Sequence, residues 1–394
     1  MLKDYFVAIY ENKIQNVHQE HIADEVFNIG KPGIEKAINI FNQYLDNKAD
    51  ITMKWDGSPA IVFGKLPETI NNIQAGTFFV STKSFFNKTP KFVTKEEDLN
   101  QFNEGPRSAL KDAFIYLQQL NPNGIYQCDL LFGGDKQKEI KNINNIEYLT
   151  FTPNTITYAI EKNSSLANEI LLKKIGIVVH TKYIGKSIKE LIPYFNISTK
   201  QENFLNTKDV WVIDAKTQYN SIILNEQQKK KLNEAINRLK SMNSKIDKSF
   251  FDDLNMLRPS YLIKTFINSQ IREQNMVIGV VDNFLNNFKE WIFKNPRISD
   301  DDKRINMNII SKKDFESNFK RLLGAYKAIE AGKDIIVNSL NEDNKNSKIK
   351  AFIKQNNEYK LCGSEGYCSV DKNGNIVKLI DRLTFSAANF AKQG

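Results

Sequence analysis

The sequence predicts an α+β protein in which antiparallel sheets are interrupted by a large helical insertion. Short β-branched and aromatic runs bounded by Gly and Pro occupy much of residues 51–184, as expected of strands. From about Leu224 onward, apolar residues recur at helical spacing for more than about 100 residues. The chain then returns to strand-like segments around a turn signal at Asn373-Gly374.

Individual elements follow from the same patterns. A helix is expected before residue 50, because Ile34, Ile38 and Phe41 recur at helical spacing after a Gly-Lys-Pro-Gly turn signal. Strands are predicted in TMKWDGSPAIVFG, AGTFFVSTKSFF, IYQCDLLFGG, YLTFTPNTITYAI and KIGIVVHTKYIG, with a helix in SALKDAFIYLQQL. Later helices are predicted in KKKLNEAINRLKSM, PSYLIKTFINSQIREQ, VIGVVDNFLNNFKEWIF and FESNFKRLLGAYKAIEAG.

These elements divide the chain into four segments. Residues 1–50 are a helical segment, and 51–224 are the first part of a β-rich core. Residues 225–355 are the helical insertion, and 356–394 complete the core.

Composition excludes several protein classes. A hydrophobic fraction of 41% and a charged fraction of 26% exclude collagen-like, mucin-like and wholly disordered chains. No segment approaches the roughly 18 apolar residues of a membrane helix, and the start lacks a signal peptide, so we expect a cytoplasmic protein with no membrane partner. With 3 Cys and 3 His, the chain disfavours a structural zinc site or a Ser-His-Asp hydrolase.

The positive charge is concentrated in the helical insertion. The chain has a net charge of +9, and residues 225–360 hold 26 Lys and Arg against 18 Asp and Glu. With Trp291, Phe288, Arg297 and Lys294 interleaved, the insertion is predicted to bind nucleic acid. The alternative is that these aromatic residues form the insertion's own core and the lysines face water. Oligomeric state is left open.

The sharpest motif is Lys54-Trp55-Asp56-Gly57-Ser58-Pro59, which follows a predicted strand. It places an amine at a strand end beside a carboxylate, and the glycine allows close backbone approach. A lysine at such a place can act as a nucleophile if its surroundings lower its pKa. A surface hairpin with an incidental ion pair is the alternative.

This block resembles motif I of the covalent nucleotidyltransferases, which include ATP-dependent DNA and RNA ligases and messenger-RNA capping enzymes. The resemblance implies that Lys54 attacks the α-phosphate of a nucleotide and forms a lysyl-nucleotide. It also implies that Asp56 and Gly57 shape the pocket, with ATP and Mg²⁺ (or Mn²⁺) as cofactors. The implied fold is a nucleotidyltransferase core of antiparallel sheets.

Two downstream segments agree with the family in order and type. Glu365-Gly366-Tyr367 resembles motif IV, which implies that Glu365 holds a divalent metal ion. Val377-Lys378-Leu379 resembles motif V, which implies that Lys378 contacts the α-phosphate. Carboxylates suit a hard cation, and positive groups assist displacement at phosphorus.

Weaker matches supply the remaining candidates. Asp129, in QCDLLF, resembles the acidic residue of motif III and is expected at the ribose or at the metal; the alternative is an Asp that caps a turn. Lys83 stands where the family carries a basic residue that contacts the nucleotide or the nucleic acid. Either Tyr158 or Val178 is expected against the base, and the sequence does not choose between them.

Three departures qualify the resemblance. Thr52 and Met53 stand where many members carry an acidic residue that reads the base, so ATP rather than GTP is inferred. Ile380 replaces a second motif V lysine, and Arg382 is the candidate for that charge. We expect no C-terminal OB-fold, which favours an RNA-ligase-like arrangement.

The function implied is an ATP-dependent polynucleotide ligase, with RNA favoured over nicked DNA as its substrate. A role in RNA repair, encoded by a bacteriophage and exercised in the host cytoplasm, would suit the Lys-Asn-Ile-rich composition. A capping-type guanylyltransferase and a noncatalytic nucleic-acid-binding protein are the alternatives.

Overall fold

The computed structural model describes residues 20–195, 197–215, 224–272, 281–344, 347–355, 358–363, 365–370 and 376–380. The α-helices of these residues are α1 (Glu25–Asn28), α2 (Lys31–Leu45), α3 (Glu104–Tyr116), α4 (Ser165–Leu172), α5 (Glu226–Lys245), α6 (Lys248–Asn255), α7 (Leu262–Arg272), α8 (Val281–Lys294), α9 (Asp300–Ile310) and α10 (Phe315–Asn344). Short 3₁₀ helices span Lys83–Phe86, Glu96–Gln101, Leu117–Leu120 and Ile188–Glu190.

The strands complete the secondary structure. They are β1 (Asp50–Lys54), β2 (Ala60–Lys65), β3 (Phe78–Ser81), β4 (Ile125–Phe132), β5 (Lys138–Ile143), β6 (Ile146–Phe151), β7 (Ile156–Glu161), β8 (Ile175–Ile184), β9 (Ile192–Tyr194), β10 (Val210–Asp214), β11 (Ile349–Gln355), β12 (Glu358–Cys362), β13 (Gly366–Val370) and β14 (Ile376–Leu379).

The described chain divides into two compact units. The first contains residues 51–215 and 343–365, and the second contains residues 20–50, 224–342 and 366–380. Each unit is therefore built from segments that are distant in sequence.

The first unit contains a six-stranded sheet, referred to as the first sheet. Its strand order is β10-β8-β4-β2-β3, with β9 paired to β8, and all pairs are antiparallel except β8 with β10. One face is apolar and packs against α3, because alternate residues such as Phe63, Cys128 and Ile177 point to that side. The other face carries the candidate site at one end.

A five-stranded antiparallel sheet, the second sheet, completes the first unit. Its order is β12-β11-β7-β6-β5. The sheet is strongly curled, since Lys141 of one edge strand lies with its Nζ 5.9 Å from the ring centroid of Tyr359 on the opposite edge strand. Ile143, Tyr148 and Phe352 fill the inside of this curl.

Aromatic side chains join the two sheets of the first unit. The ring of Phe132 in β4 lies 5.3 Å from Phe151 in β6 and 6.0 Å from Trp211 in β10. Large rings at the interface bury much apolar area per residue, which stabilises the face-to-face packing.

The second unit is mainly helical and has an aromatic core. Phe288 is fully buried and lies 5.1 Å from Phe266, and Trp291 lies 5.5 Å from Phe266. Phe288 therefore belongs to the insertion's own core, as the alternative interpretation of these rings expected. Of the neighbouring cations, Lys294 pairs with Glu290 and Arg297 is exposed.

The α+β class with antiparallel sheets is confirmed, and so are the helix before residue 50 and the helices after residue 224. The expected segment boundaries differ from the structure, because the helices end at Asn344 and β11 belongs to the second sheet. The sequence analysis also did not predict β5, whose composition, KEIKNI, is too polar for a strand signal. The Asn373-Gly374 turn lies outside the described residues. No helix within the described ranges is long and apolar enough to cross a membrane.

The end of α4 is held by a lysine. Lys138 Nζ donates hydrogen bonds to the carbonyl oxygens of Ile170 and Leu171, both at 2.9 Å, and to that of Lys173. The Ile170 carbonyl also accepts the N–H of Lys173 at 3.1 Å, and a cation at this helix end suits the helix dipole.

Replacing this lysine should weaken the first unit. We expect Lys138→Met to lower the free energy of unfolding by about 1–3 kcal/mol, because half-buried carbonyls lose their donor. Urea denaturation followed by tryptophan fluorescence measures this change. Lys162→Met, which removes an exposed ion pair with Glu147, should change it by less than about 1 kcal/mol. Equal effects of the two substitutions would contradict this role for Lys138.

Candidate functional site

Lys54 is the last residue of β1 and faces a carboxylate from the far end of the chain. The strand alternates, so that Ile51 and Met53 are buried while Thr52 and Lys54 are half-buried on the other side. Lys54 Nζ donates to Glu365 Oε2 in an ion pair between residues 311 positions apart. The structure therefore brings together the two residues that motifs I and IV assign to catalysis and metal binding.

Thr52 and Met53 precede this lysine. Met53 is buried, and its N–H donates to the carbonyl of Ala215 at 2.9 Å. Met53 is thus held within the core, and only Thr52 shares the side of β1 that carries Lys54.

Asp56 is a buried anchor for the loop after Lys54. It is 3% exposed. Its carboxylate accepts hydrogen bonds from the backbone N–H groups of Thr155 (2.6 Å) and Ile156 (2.7 Å) and from Asn154 Nδ2 (2.8 Å). These bonds satisfy the buried charge and fasten the loop to the turn between β6 and β7.

Tyr158 reinforces the same attachment. Its hydroxyl accepts the N–H of Asp56 at 2.7 Å, and its ring lies 4.7 Å from that of Trp55. Burial raises the pKa of Tyr158 well above its ordinary value, and the charge of Asp56 adds to the shift. Tyr158 is 2% exposed, so the structure places it in the core, and stacking of its ring on a base stays a prediction. The Trp55 indole N–H is buried with no hydrogen-bond partner among the described residues.

Gly57 is required because β4 approaches the loop closely. A Cβ at this position would lie 2.5 Å from Asp129 Cβ, inside the closest normal contact. Next to it, the N–H of Ser58 donates to the carbonyl of Leu130 at 2.9 Å. The loop that follows Lys54 therefore lies directly against the strand that carries Asp129.

Asp129 is half-buried beside a histidine that sequence reasoning did not single out. His180 Nε2 lies 3.6 Å from Asp129 Oδ1, and His180 Nδ1 lies 2.7 Å from Thr181 Oγ1. Val178 is the register partner of Asp129 on β8 and is buried, so its contact with a base also stays a prediction. His180 stands two residues after Val178 in the sequence. Only the register between β4 and β8 shows that this position lies beside Asp129.

Lys83 lies at the same end of the first sheet. It begins the 3₁₀ helix after β3, whose start is capped by the Thr82 hydroxyl accepting from the N–H of Ser84 at 3.2 Å. Ser81 of β3 pairs with Val62 of β2. Two residues further along the same register, the position of Lys83 corresponds to Ala60, which pairs with Asp129. The half-buried Lys83 amine makes no hydrogen bond or ion pair within the described ranges.

Two candidates remain, Lys378 and Arg382. Lys378 is on β14 of the second unit, where its N–H donates to the carbonyl of Glu20 at 2.9 Å and its carbonyl accepts from the N–H of Ile22 at 3.2 Å. Its role at a phosphate stays a prediction. Arg382 lies outside the described residues.

Residues 16–393, nearly the whole chain, match a family described as a family of unknown function (DUF6267). The chain belongs to this family. No curated protein and no solved structure matches this DUF6267 member. Its resemblance to the covalent nucleotidyltransferases therefore rests on the motif residues themselves.

The surroundings of Lys54 carry negative potential. Burial and the charge of Asp56 raise the pKa of the Cys362 thiol to about 12, and the charge of Glu365 also contributes to the raised pKa of Tyr158. Among the described residues, no group of three His, Cys, Asp or Glu side chains converges on one point. One carboxylate in a negative environment fits Mg²⁺, which commonly takes its other ligands from phosphates and water.

The two aspartates of this site should respond differently to the same change. Asp56→Asn places an amide against backbone donors, so we expect a loss of about 2–4 kcal/mol in the free energy of unfolding. Asp129→Asn, at a half-buried position, should cost less than about 1 kcal/mol. Urea denaturation of both variants measures the difference, and a tolerant Asp56→Asn protein would refute the anchoring role.

Proposed function

We propose that this DUF6267 protein is an ATP-dependent polynucleotide ligase that forms a lysyl-adenylate on Lys54, with RNA as the favoured substrate. The observation that carries the proposal is the ion pair between Lys54 and Glu365. Two residues proposed from separate motifs, 311 positions apart, form one site in an antiparallel-sheet unit.

Further support comes from the position of the amine. Lys54 is held at a strand end by the Asp56 anchor and by the close approach of Gly57 to Asp129. Because the backbone at the nucleophile is fixed in this way, only the Lys54 side chain has to move before attack, and positioning is a large part of catalysis at phosphorus.

The first step follows from the chemistry of an amine and a triphosphate. The Lys54 ammonium releases a proton to solvent, and the neutral amine then attacks the α-phosphorus of ATP. The N–P bond forms as the bond from phosphorus to the bridging oxygen of pyrophosphate breaks, and pyrophosphate leaves. Because the ion pair with Glu365 favours the protonated amine, Lys54 must part from Glu365 before it can attack.

Glu365 is the residue that would hold a divalent cation, and Asp129 is the second carboxylate that the resemblance assigns to it. When bound, Mg²⁺ supplies positive charge that stabilises the triphosphate and the leaving pyrophosphate. Glu365 pairs with the Lys54 ammonium in this structure, and it would pair with the cation instead when the cation is bound.

The later steps transfer the adenylate to a polynucleotide. AMP passes from Lys54 to a 5′-phosphate, and a 3′-hydroxyl then displaces AMP and seals the strand. RNA is proposed as the substrate ahead of nicked DNA.

Substituting the nucleophile tests the proposal directly. Purified protein is incubated with α-labelled ATP or GTP and Mg²⁺, then denatured. We expect acid-labile, base-stable label from ATP in the parent and none in Lys54→Ala. Lys65→Ala, which removes an exposed lysine at the end of β2, is the matched control and should label normally.

Other outcomes of that assay separate the alternatives. Label from GTP alone would identify a capping-type guanylyltransferase. Folded protein that takes no label from either nucleotide would refute the catalytic proposal and leave a noncatalytic nucleic-acid-binding protein.

A second substitution tests the role of Glu365. We expect Glu365→Gln to raise the Mg²⁺ concentration needed for half-maximal labelling by about tenfold or more, since the amide is a far weaker ligand. Glu202→Gln, which breaks an ion pair with Lys182 in the same unit, should leave the Mg²⁺ dependence unchanged. Identical Mg²⁺ curves for the parent and Glu365→Gln would contradict metal binding at Glu365.

A further inference from the structure

A row of cations lies along the exposed face of α5. Lys231, Arg238 and Lys245 follow one another at a spacing of seven residues, which is close to two full helical turns. Their side chains therefore share one stripe about 21 Å long. Lys230 and Lys240 are also exposed on this helix.

The opposite side of α5 is fixed in the core of the second unit. α5 packs on α2, and Gly324 of α10 approaches it so closely that a Cβ there would lie 2.6 Å from Met242 Cε. The buried residues of α5 are Leu232, Ala235, Ile236 and Leu239. Because this apolar side is fixed, the orientation of the cations toward solvent is fixed as well.

This face keeps an excess of positive charge, although the exposed Glu234 lies three residues after Lys231 and four before Arg238. Lys229 pairs with Glu226 at 2.9 Å at the start of α5, but the cations of the stripe make no ion pair within the described ranges. The exposed Glu234 also makes none there. Arg321 adds a further guanidinium at the far end, since its Nη1 donates to the carbonyl of Lys245 at 2.9 Å.

Regularly spaced, unpaired cations favour a partner with regularly spaced negative charges. Successive members of the stripe are about 10 Å apart, which is about one Debye length at 0.1 M salt, so their fields overlap. A nucleic acid backbone supplies such a row of phosphates and gains free energy by releasing condensed counterions.

The same face does not favour a membrane or base-specific recognition. A helix that lies in a lipid surface inserts apolar side chains, but those of α5 are buried in the protein. The exposed large apolar residues of the second unit, Ile29, Met256, Tyr261 and Phe293, all lie outside α5. Without an exposed aromatic ring, the face offers nothing on which a base could stack.

We propose that the α5 strip, defined as Lys230, Lys231, Arg238, Lys245 and Arg321, binds the phosphate backbone of RNA without regard to base sequence. This inference rests on the proposed function for the choice of RNA as the partner. It adds the location of the contact and the chemistry that makes it.

The test removes three charges from the strip in the full-length protein. K231Q/R238Q/K245Q keeps good helix formers on α5, so the fold is retained. Binding of a single-stranded RNA of about 20 nucleotides, longer than typical single-strand site sizes, is followed by fluorescence anisotropy at several KCl concentrations. We expect affinity to fall about tenfold to a hundredfold near 0.1 M salt, and the slope of log K against log salt to drop by about 2.

A matched variant controls for net charge. K95Q/K186Q/K189Q removes the same charge from exposed lysines of the first unit and should keep the parent's salt slope. All measurements are made without ATP and are repeated in Lys54→Ala. If the strip binds RNA but the protein forms no labelled adenylate, the proposed function is refuted and this inference stands. If the protein forms the labelled adenylate but the strip substitutions leave RNA binding unchanged, this inference is refuted and the proposed function stands.

Three results would overturn the inference. One is a K231Q/R238Q/K245Q protein, folded by circular dichroism, whose RNA affinity and salt slope equal the parent's. Another is a parent protein that binds no RNA, or that binds phosphatidylserine-containing vesicles in preference to RNA. The third is an affinity that differs strongly between homopolymers of different bases, since backbone binding predicts similar values.

Discussion

The buried carboxylate of Asp56 is the interaction on which the candidate site depends. The carboxylate accepts hydrogen bonds from the N–H groups of Thr155 and Ile156. The backbone N–H of Asp56 donates to the hydroxyl of Tyr158. Through these bonds the loop between β1 and β2 is fastened to the turn of another sheet. Lys54 is two residues away, so the position of its backbone follows from where Asp56 is anchored, and its amine is held by Glu365.

The way in which that charge is satisfied also shapes the chemistry. Asp56 takes hydrogen-bond donors from the backbone and from Asn154, and no cation is needed to neutralise it. The ammonium of Lys54 is consequently left to pair with Glu365. Two acids near one lysine thus have separate tasks, since Asp56 fixes the loop and Glu365 pairs with the lysine.

In the second unit, the packing of a helix determines where charge is displayed. The apolar side of α5 is held against α2 and α10, which turns its lysines and arginine outward in register. An amphipathic pattern that serves stability therefore also produces a regular, positively charged surface. Stability and electrostatics have the same origin in this helix.

The sequence by itself determined the α+β class, most helices and strands, the turn after Lys54 and the excess of positive charge after residue 225, because each depends on composition, on local periodicity or on neighbours along the chain. Only the tertiary structure decided that Lys54 meets Glu365, that His180 lies beside Asp129, and that Tyr158 and Phe288 are core residues. It also decided that the polar β5 is a strand, since pairing with β6 and not its own composition stabilises it. These features depend on strand register and on contacts between distant segments, which local patterns do not encode.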